Sequence, residues 1–558
     1  MFIITLSARD LKIGGKAMDE SSVMNCDAAV SENSDCKPET RERSMSRYLY
    51  ILGLTAMFIY GSYSGVIGLE SSINIEGGLG TTSVMIVFIV SSFSCIFLLP
   101  IVIDFLGPKF AIILGELGFV AYIASNFYPS WYTLIPAAVV HGITESGMWA
   151  GGSCYVTFLA KKQWEKETRR NEDSGRSQEA LIYRYFGIYY SMLFCGELLG
   201  SGIDAAVLLG LQNQGVKPSN GSAINASFVV SSTQYSKSAA ISHDATMPWI
   251  VPNATLEIKN PLAFCGSQDC QADYIYDFSE DDLEKFHPSK TSIYFLLSLF
   301  TICALLFICL QAIFLPEASV KEDQTRGESI LPTTTSSIKK ENSATQSPTK
   351  TNRVLTKVKV ELKGTFRHVI SPLHLFIAPY IFYNGLYYAY EITEYTRAFV
   401  SCSIGVEKLG LATGVLGAFT ISGTTFGGHV LYRLGRTKYA IVVTCWHLGT
   451  FLCSNFWQPH PNNTWVIYLL GAFLGFGQGI LNNMLKGLTA HYFQGTEVVA
   501  FSVKNCITNL GIVAGTAWST SLCVYEKIYV VIGFLLFSLV CFFIAERLFQ
   551  KQKKTICM

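Results

Sequence analysis

The chain has 558 residues, 50% of them hydrophobic and only 15% charged, whereas soluble domains carry roughly a quarter charged residues. With 42 Lys and Arg against 41 Asp and Glu, a net charge of +1 offers no field for drawing in a polyanion. This composition excludes a nucleic-acid binder and a disordered chain.

In chain order, residues 1–47 are polar and form a cytoplasmic tail, because the opening apolar run FIITL is too short for a secretory signal. Residues 48–69, YLYILGLTAMFIYGSYSGVIGL, are the first span, since about 20 apolar residues bridge a hydrocarbon core of about 30 Å. Spans near 82–103, 110–127, 132–159, 182–210 and 291–315 follow, giving an amino-terminal half over 48–315 with a long outer loop at 211–290. A polar cytoplasmic linker covers 316–371. Spans near 372–396, 408–431, 438–457, 464–486, 497–522 and 526–546 make a second half over 372–546, and 547–558 form a cytoplasmic tail. The expected fold class is an all-α integral membrane protein with twelve transmembrane helices in two six-helix halves.

Positive residues orient such a bundle because they concentrate in short cytoplasmic loops. Arg41, Arg43 and Arg47, then Lys109, then Lys161, Lys162, Lys166, Arg169 and Arg170, then Arg433, Arg436 and Lys438, and finally Arg547, Lys551, Lys553 and Lys554 all fall on one side. The loops at 70–81, 128–131 and 458–463 on the other side carry no Lys or Arg. Both termini are therefore expected inside. Four N-x-S/T acceptors, Asn220, Asn225, Asn253 and Asn462, lie in loops this rule places outside, where glycosylation occurs. Cys265 and Cys270 of CGSQDC sit in the long outer loop, where an oxidising compartment permits a local bridge; Cys402 is a competing partner.

A linker dividing two sets of spans invites a search for duplication. Asp104 to Lys109 reads DFLGPK, and Tyr432 to Lys438 reads YRLGRTK, at corresponding positions after the second and eighth spans. Gly107 and Gly435 admit unusual backbone angles in a tight inner turn, while Asp104, Lys109, Arg433 and Arg436 supply charges for carboxylate pairing or lipid headgroups. With six-plus-six spans and both ends inside, the pattern resembles the loop signature of the major facilitator superfamily. Residues 353–367 mix Val, Leu and Phe with cations and suit either a helix lying on the anionic inner leaflet or a solvated linker.

Each ionisable group at membrane depth costs roughly 2.5–3.5 kcal/mol and so needs a partner or a wet cavity. Glu145, Glu197, Glu391 and Glu394, with Lys486 and Lys504, form a candidate intramembrane network. It serves either as a solute or proton site in a central cavity, the acids facing the lysines, or as a set of interhelical fasteners. His141, His429 and His447 are expected to be interior histidines, and glycine runs on spans five, eight and ten are close-packing faces offered as partner contacts. No phosphate loop, H-E-x-x-H or G-x-S-x-G occurs, so neither enzymatic activity nor a cofactor or metal is expected, and no small-molecule ligand can be named.

Five ordered blocks, GLESSINIEGGLG (68–80), FYPSWY (127–132), YFGIYY (185–190), CGSQDC (265–270) and FVSCSIG (399–405), resemble the Unc-93 ("uncoordinated") family across about residues 48–546. The resemblance implies a non-enzymatic plasma-membrane protein on a transporter scaffold. Its nematode founder is a regulatory subunit of a two-pore-domain potassium channel in muscle, and a vertebrate branch escorts Toll-like receptors. A channel-regulatory protein binding partner helices laterally is thus expected, with a small-solute transporter and a receptor escort as alternatives.

The orientation has a direct check. Enzymatic deglycosylation should increase the electrophoretic mobility of the expressed protein, and replacing Asn220, Asn225, Asn253 and Asn462 together by Gln should abolish that shift.

Overall fold

The computed structural model describes residues 45–73, 79–169, 177–212, 265–270, 290–317, 359, 362–404, 408–460, 463–518 and 522–557, all within the compact unit Ser44–Met558. The four glycan acceptors, the first 44 residues and most of the linker, including nearly all of 353–361, lie outside these. Among the described residues every regular element is helical. In order they are α1 (Met45–Ile73), α2 (Leu79–Phe97), α3 (Leu99–Ser125), α4 (Trp131–Ser146), a π-helical stretch Gly147–Gly151, α5 (Gly152–Arg169) and α6 (Gln178–Gln212). A 3₁₀ turn (Gly266–Gln268) and α7 (Lys290–Phe314) follow. Then come α8 (Pro372–Tyr390) with its π-helical continuation Glu391–Ser401, α9 (Leu409–His429), α10 (Arg436–Phe456), α11 (Trp465–Tyr492), α12 (Glu497–Ala517) and α13 (Val524–Cys557). Six of these helices are long and apolar enough to cross a membrane, or eight if each of two bent pairs counts as one span.

Local chemistry sets several helix limits. Pro372 opens α8, where a missing N–H costs nothing, and Ser371 Oγ accepts the His374 amide at 3.4 Å. Gly107 (φ 82°, ψ 163°) breaks α3, and Gly435 (φ 80°, ψ 155°) immediately precedes α10. The two inner-loop glycines thus share a backbone conformation that a Cβ disfavours. The helix expected to end near 546 runs on to Cys557.

Two apolar clusters fill the interior. One is built almost wholly from residues after 372, among them Tyr380, Tyr387, Phe399, Tyr439, Leu485 and Phe542, with Tyr183 reaching in. The other is built mainly from residues before 316, among them Leu49, Phe119, Tyr155, Phe186 and Tyr190, joined by Ile421, Ala490 and Phe501. The exterior is apolar too. Ile302, Ile313, Leu411 and Phe537 are more than half exposed, and Tyr128, Tyr132, Phe456 and Trp465 stand out at or beside helix ends, as expected where amphipathic rings meet a membrane interface.

Glycines bring the helices into backbone contact. A Cβ on Gly196 of α6 would lie 2.0 Å from the Met57 carbonyl oxygen of α1, and one on Gly475 of α11 would lie 2.0 Å from that of Leu416 in α9. Gly423 and Gly479 are equally committed between α9 and α11, and Gly187 of α6 meets Gly428 of α9. Most of the glycine faces expected to receive a partner are therefore consumed inside the bundle; on α9 only Gly410 and Gly414 keep open space.

The expected bridge between Cys265 and Cys270 is corrected. Cys265 pairs with Cys402 and Cys270 with Cys523, with Cα separations of 5.6 and 4.2 Å across 137 and 253 residues of sequence. The turn Gly266–Gln268 lies against the ends of two different helical segments, so each cysteine meets a different one. Ser267 Oγ donates to the Asn455 carbonyl at 2.9 Å, and the Val524 amide donates to the Asp269 carbonyl at 2.9 Å.

Backbone contact between α1 and α6 leaves no room for a side chain. Gly196→Leu should destabilise the detergent-solubilised protein by about 1–3 kcal/mol or more, read as a lower melting temperature, whereas Gly414→Leu should stay within about 0.5 kcal/mol of the parent.

Candidate functional site

The six residues proposed from sequence as one network separate into distinct groups. Glu394, in the π-helical stretch after α8, is 2% exposed and holds Arg397 at 2.9 Å and Lys527 of α13 at 2.7 Å. Arg397 also pairs with Asp269 at 2.7 Å. This cluster sits beside both disulfides and fastens the 265–270 segment to α13 and the π-helical stretch. Burial raises the Asp269 carboxyl above the ordinary range despite its arginine. Glu394 thus joins the π-helical stretch to α13 through its ion pairs, and the Glu394–Arg397 step follows the three-residue spacing of a helix face.

Glu391 points elsewhere. It is 3% exposed, its Oε1 has no hydrogen-bond partner, and it lies close enough to Glu197 of α6 for the two carboxylates to repel when both are ionised. Tyr60 (α1) and Tyr388 (α8) both lie near Glu197. Glu145 of α4 accepts from Trp149 Nε1 at 3.0 Å, while its Oε2 has no partner. His141, a turn earlier, packs against Phe119, Tyr63 and Tyr122 with ring-centroid distances of 4.4, 5.1 and 5.5 Å. It is an interior histidine. His447 is likewise buried but bonds Tyr383 through Nδ1 at 2.6 Å, whereas His429, expected to be interior, is half-buried at the end of α9 with Nδ1 2.9 Å from the Thr425 carbonyl oxygen.

Lys486 of α11 and Lys504 of α12 stand together on the other helices. Lys486 donates to the Tyr190 hydroxyl and lies 3.9 Å from that ring's centroid, an arrangement that offsets part of the cost of burying its charge. Tyr190 is bonded in turn to Ser153 Oγ at 3.0 Å. Among the described residues no acid forms an ion pair with Lys486 or Lys504.

Ties between helices that are distant in sequence cross the region at several levels. Asn509 of α12 donates to Ser91 Oγ of α2 at 2.9 Å, Asn483 of α11 donates to the Tyr183 carbonyl of α6 at 3.3 Å, and Ser191 meets Thr425 at 2.7 Å. At the ends expected to face the cytoplasm, Arg436 pairs with Glu179 of α6 at 3.2 Å and with Glu546 of α13 at 2.8 Å, its guanidinium lying 5.9 and 5.3 Å from the rings of Tyr492 and Phe549. Lys161 of α5 pairs with Glu497 of α12. The other inner-loop residues are more peripheral: Lys109 donates to the Ala312 carbonyl at 2.8 Å, Arg433 is exposed, and Asp104 lies in the first turns of α3. A separate buried polar chain, Thr55 to Gln311 to Glu116, joins α1, α7 and α3, with Gln311 donating to Glu116 at 2.8 Å.

Sequence reasoning missed Asp269, Lys527, Tyr190, Glu179 and Glu546. Asp269 carried a signal, an acid between two cysteines; Tyr190 was hidden among many tyrosines.

Removing one member of a buried ion pair strands the other. Glu394→Gln should therefore cost about 3 kcal/mol or more of stability, whereas Glu391→Gln, which breaks no ion pair, should cost less than about 1 kcal/mol; thermal unfolding of the two purified variants compares them.

Comparison with known proteins adds a family. The model of the family described as ion channel regulatory protein UNC-93 matches residues 71–195. The bovine protein unc-93 homolog A is 24% identical over 485 residues, covering 87% of this chain and 90% of that one. The putative potassium channel regulatory protein unc-93 of Caenorhabditis elegans is 21% identical over 507 residues, covering 90% of this chain and 61% of its own. Among solved structures, the human organic anion transporter MFSD10 superposes with a TM-score of 0.51 at 13% identity, covering 90% of this chain and all of that one, a likeness of fold. Over most of its length this chain is similar to the UNC-93 proteins, and its all-helical fold is like that of the transporter MFSD10.

Proposed function

We propose that this multi-pass membrane protein is a regulatory subunit of an ion channel, with a two-pore-domain potassium channel as its partner. The observation that carries the reading is similarity along 90% of the chain to a nematode protein named for potassium channel regulation. In this reading twelve helices cross the plasma membrane in two halves of six, 48–315 and 372–546, with both termini cytoplasmic, the outer loop glycosylated and membrane lipids around the bundle. The apolar exterior supports lateral association with partner helices, and the open Gly410 and Gly414 on α9 suit close approach. A bound regulator shifts a channel's gating equilibrium only by the difference in its binding energy to the open and closed forms; about 1.4 kcal/mol changes the open-to-closed ratio tenfold.

The fastening of Glu394, Arg397, Lys527 and Asp269 supports a scaffold whose outer end is held together. A second reading, transport of a small solute, is favoured by the unpartnered Glu391 oxygen facing Glu197. Co-expression with a two-pore-domain potassium channel decides between them. The expected outcome is co-purification and a changed current; saturable flux into liposomes that vanishes in Glu391→Gln, without any effect on current, overturns the regulatory reading. Retention of a receptor inside cells on depletion, again with unchanged current, would point instead to an escort.

A further inference from the structure

Two buried lysines lie within electrostatic range of one another, and neither forms an ion pair with a described residue. Lys486 is 4% exposed and Lys504 is 2% exposed, and they are close enough for their ammonium groups to repel. Lys504 makes no hydrogen bond or ion pair with any described residue, and Lys486 makes one hydrogen bond, to the neutral Tyr190 hydroxyl. Most of the acids that might have answered them are paired elsewhere. Glu394 is held by Arg397 and Lys527, Glu497 by Lys161, and Glu179 and Glu546 by Arg436, while Glu145 accepts from Trp149 through one oxygen and forms no ion pair. Glu391 faces Glu197.

Burying one unpaired charge costs several kcal/mol, and burying two adjacent like charges costs more. Other donors stand nearby. The Tyr190 hydroxyl shares a 3.0 Å bond with Ser153, and the Cys95 thiol lies beside Lys504. Two ammonium groups with neutral hydroxyl and thiol donors, and no carboxylate paired with either lysine, make the donor set of an anion site.

We propose that Lys486 and Lys504 bind a small anion, a carboxylate or a phosphate, in the interior where α11 and α12 meet α6 and α2. The inference goes beyond channel regulation and does not rest on it. Because the lysines come from α11 and α12 while Tyr190 and Ser153 come from α6 and α5, a bound anion ties the second set of helices to the first. Anion occupancy then favours the arrangement in which these helices are together, by the difference in affinity between that arrangement and any other.

The test uses the full chain in nanodiscs of phosphatidylcholine, with melting temperature followed as potassium phosphate or potassium succinate replaces potassium chloride at constant ionic strength. One of the two anions is expected to give a saturable rise. Lys486→Met and Lys504→Met should weaken that response at least about thirtyfold, while Lys504→Arg retains it and exposed Lys551→Ala leaves it unchanged. If a methionine variant does not stay monodisperse, the arginine variant and the parent titration carry the decision. Protection confined to discs containing phosphatidylglycerol, and lost in Lys486→Met, identifies a lipid phosphate as the anion in the same site. Absence of any saturable effect over chloride in both kinds of disc, or an equal response from the parent and both methionine variants, overturns the proposal.

Discussion

Hydrocarbon offers no hydrogen bond, so every polar group at membrane depth must find its partner inside the protein. The organisation of this molecule follows from that constraint. Its exterior is studded with exposed leucines, isoleucines and phenylalanines, while Glu116, Glu145, Glu391, Glu394, Lys486 and Lys504 are all turned inward. Soluble proteins bury apolar groups to escape water; here polar groups are buried to escape lipid, and many of them tie helices together.

The ties differ by level. Around the 265–270 segment two disulfides and a chain of four alternating charges, Asp269, Arg397, Glu394 and Lys527, hold a loop against the ends of two helical segments. Near Gly435, Arg436 sits between carboxylates of α6 and α13, and Lys161 reaches Glu497. Between these levels the contacts are mostly neutral, hydroxyls and amides such as Ser91 with Asn509, and the ionisable groups there lack counter-charges. A frame with ion pairs toward its ends and ionisable groups without ion-pair partners between them is suited to responding to a ligand or partner, since whatever binds those groups changes the balance among its conformations.

Glycine has two separate jobs. Gly107 and Gly435 supply a backbone conformation with positive φ at related turns. Gly196, Gly423, Gly475 and Gly479 supply absence: their missing side chains let one helix rest on another's carbonyls. Once spent in this way such faces are closed to outside partners, which moves attention to the bulkier lipid-facing surfaces and to the open Gly410 and Gly414.

That this is an all-helical, multi-pass membrane protein similar to the UNC-93 proteins was legible in the linear chain, because span length, charge scarcity and ordered motif blocks are properties of it. The sequence also exposed the inward acids and lysines, since an ionisable residue in an apolar run is visible wherever it occurs. Which side chains meet is fixed by packing in three dimensions. Helical spacing relates Glu391, Glu394 and Arg397 on one rod, but it says nothing of the rotation of that rod against its neighbours, and a few tens of degrees send Glu394 to Lys527 and Glu391 to Glu197. Cysteine pairing is likewise a property of three-dimensional proximity: Cys265 and Cys270 are neighbours in the chain, yet each sulfur bonds where the fold carries it, to Cys402 and to Cys523.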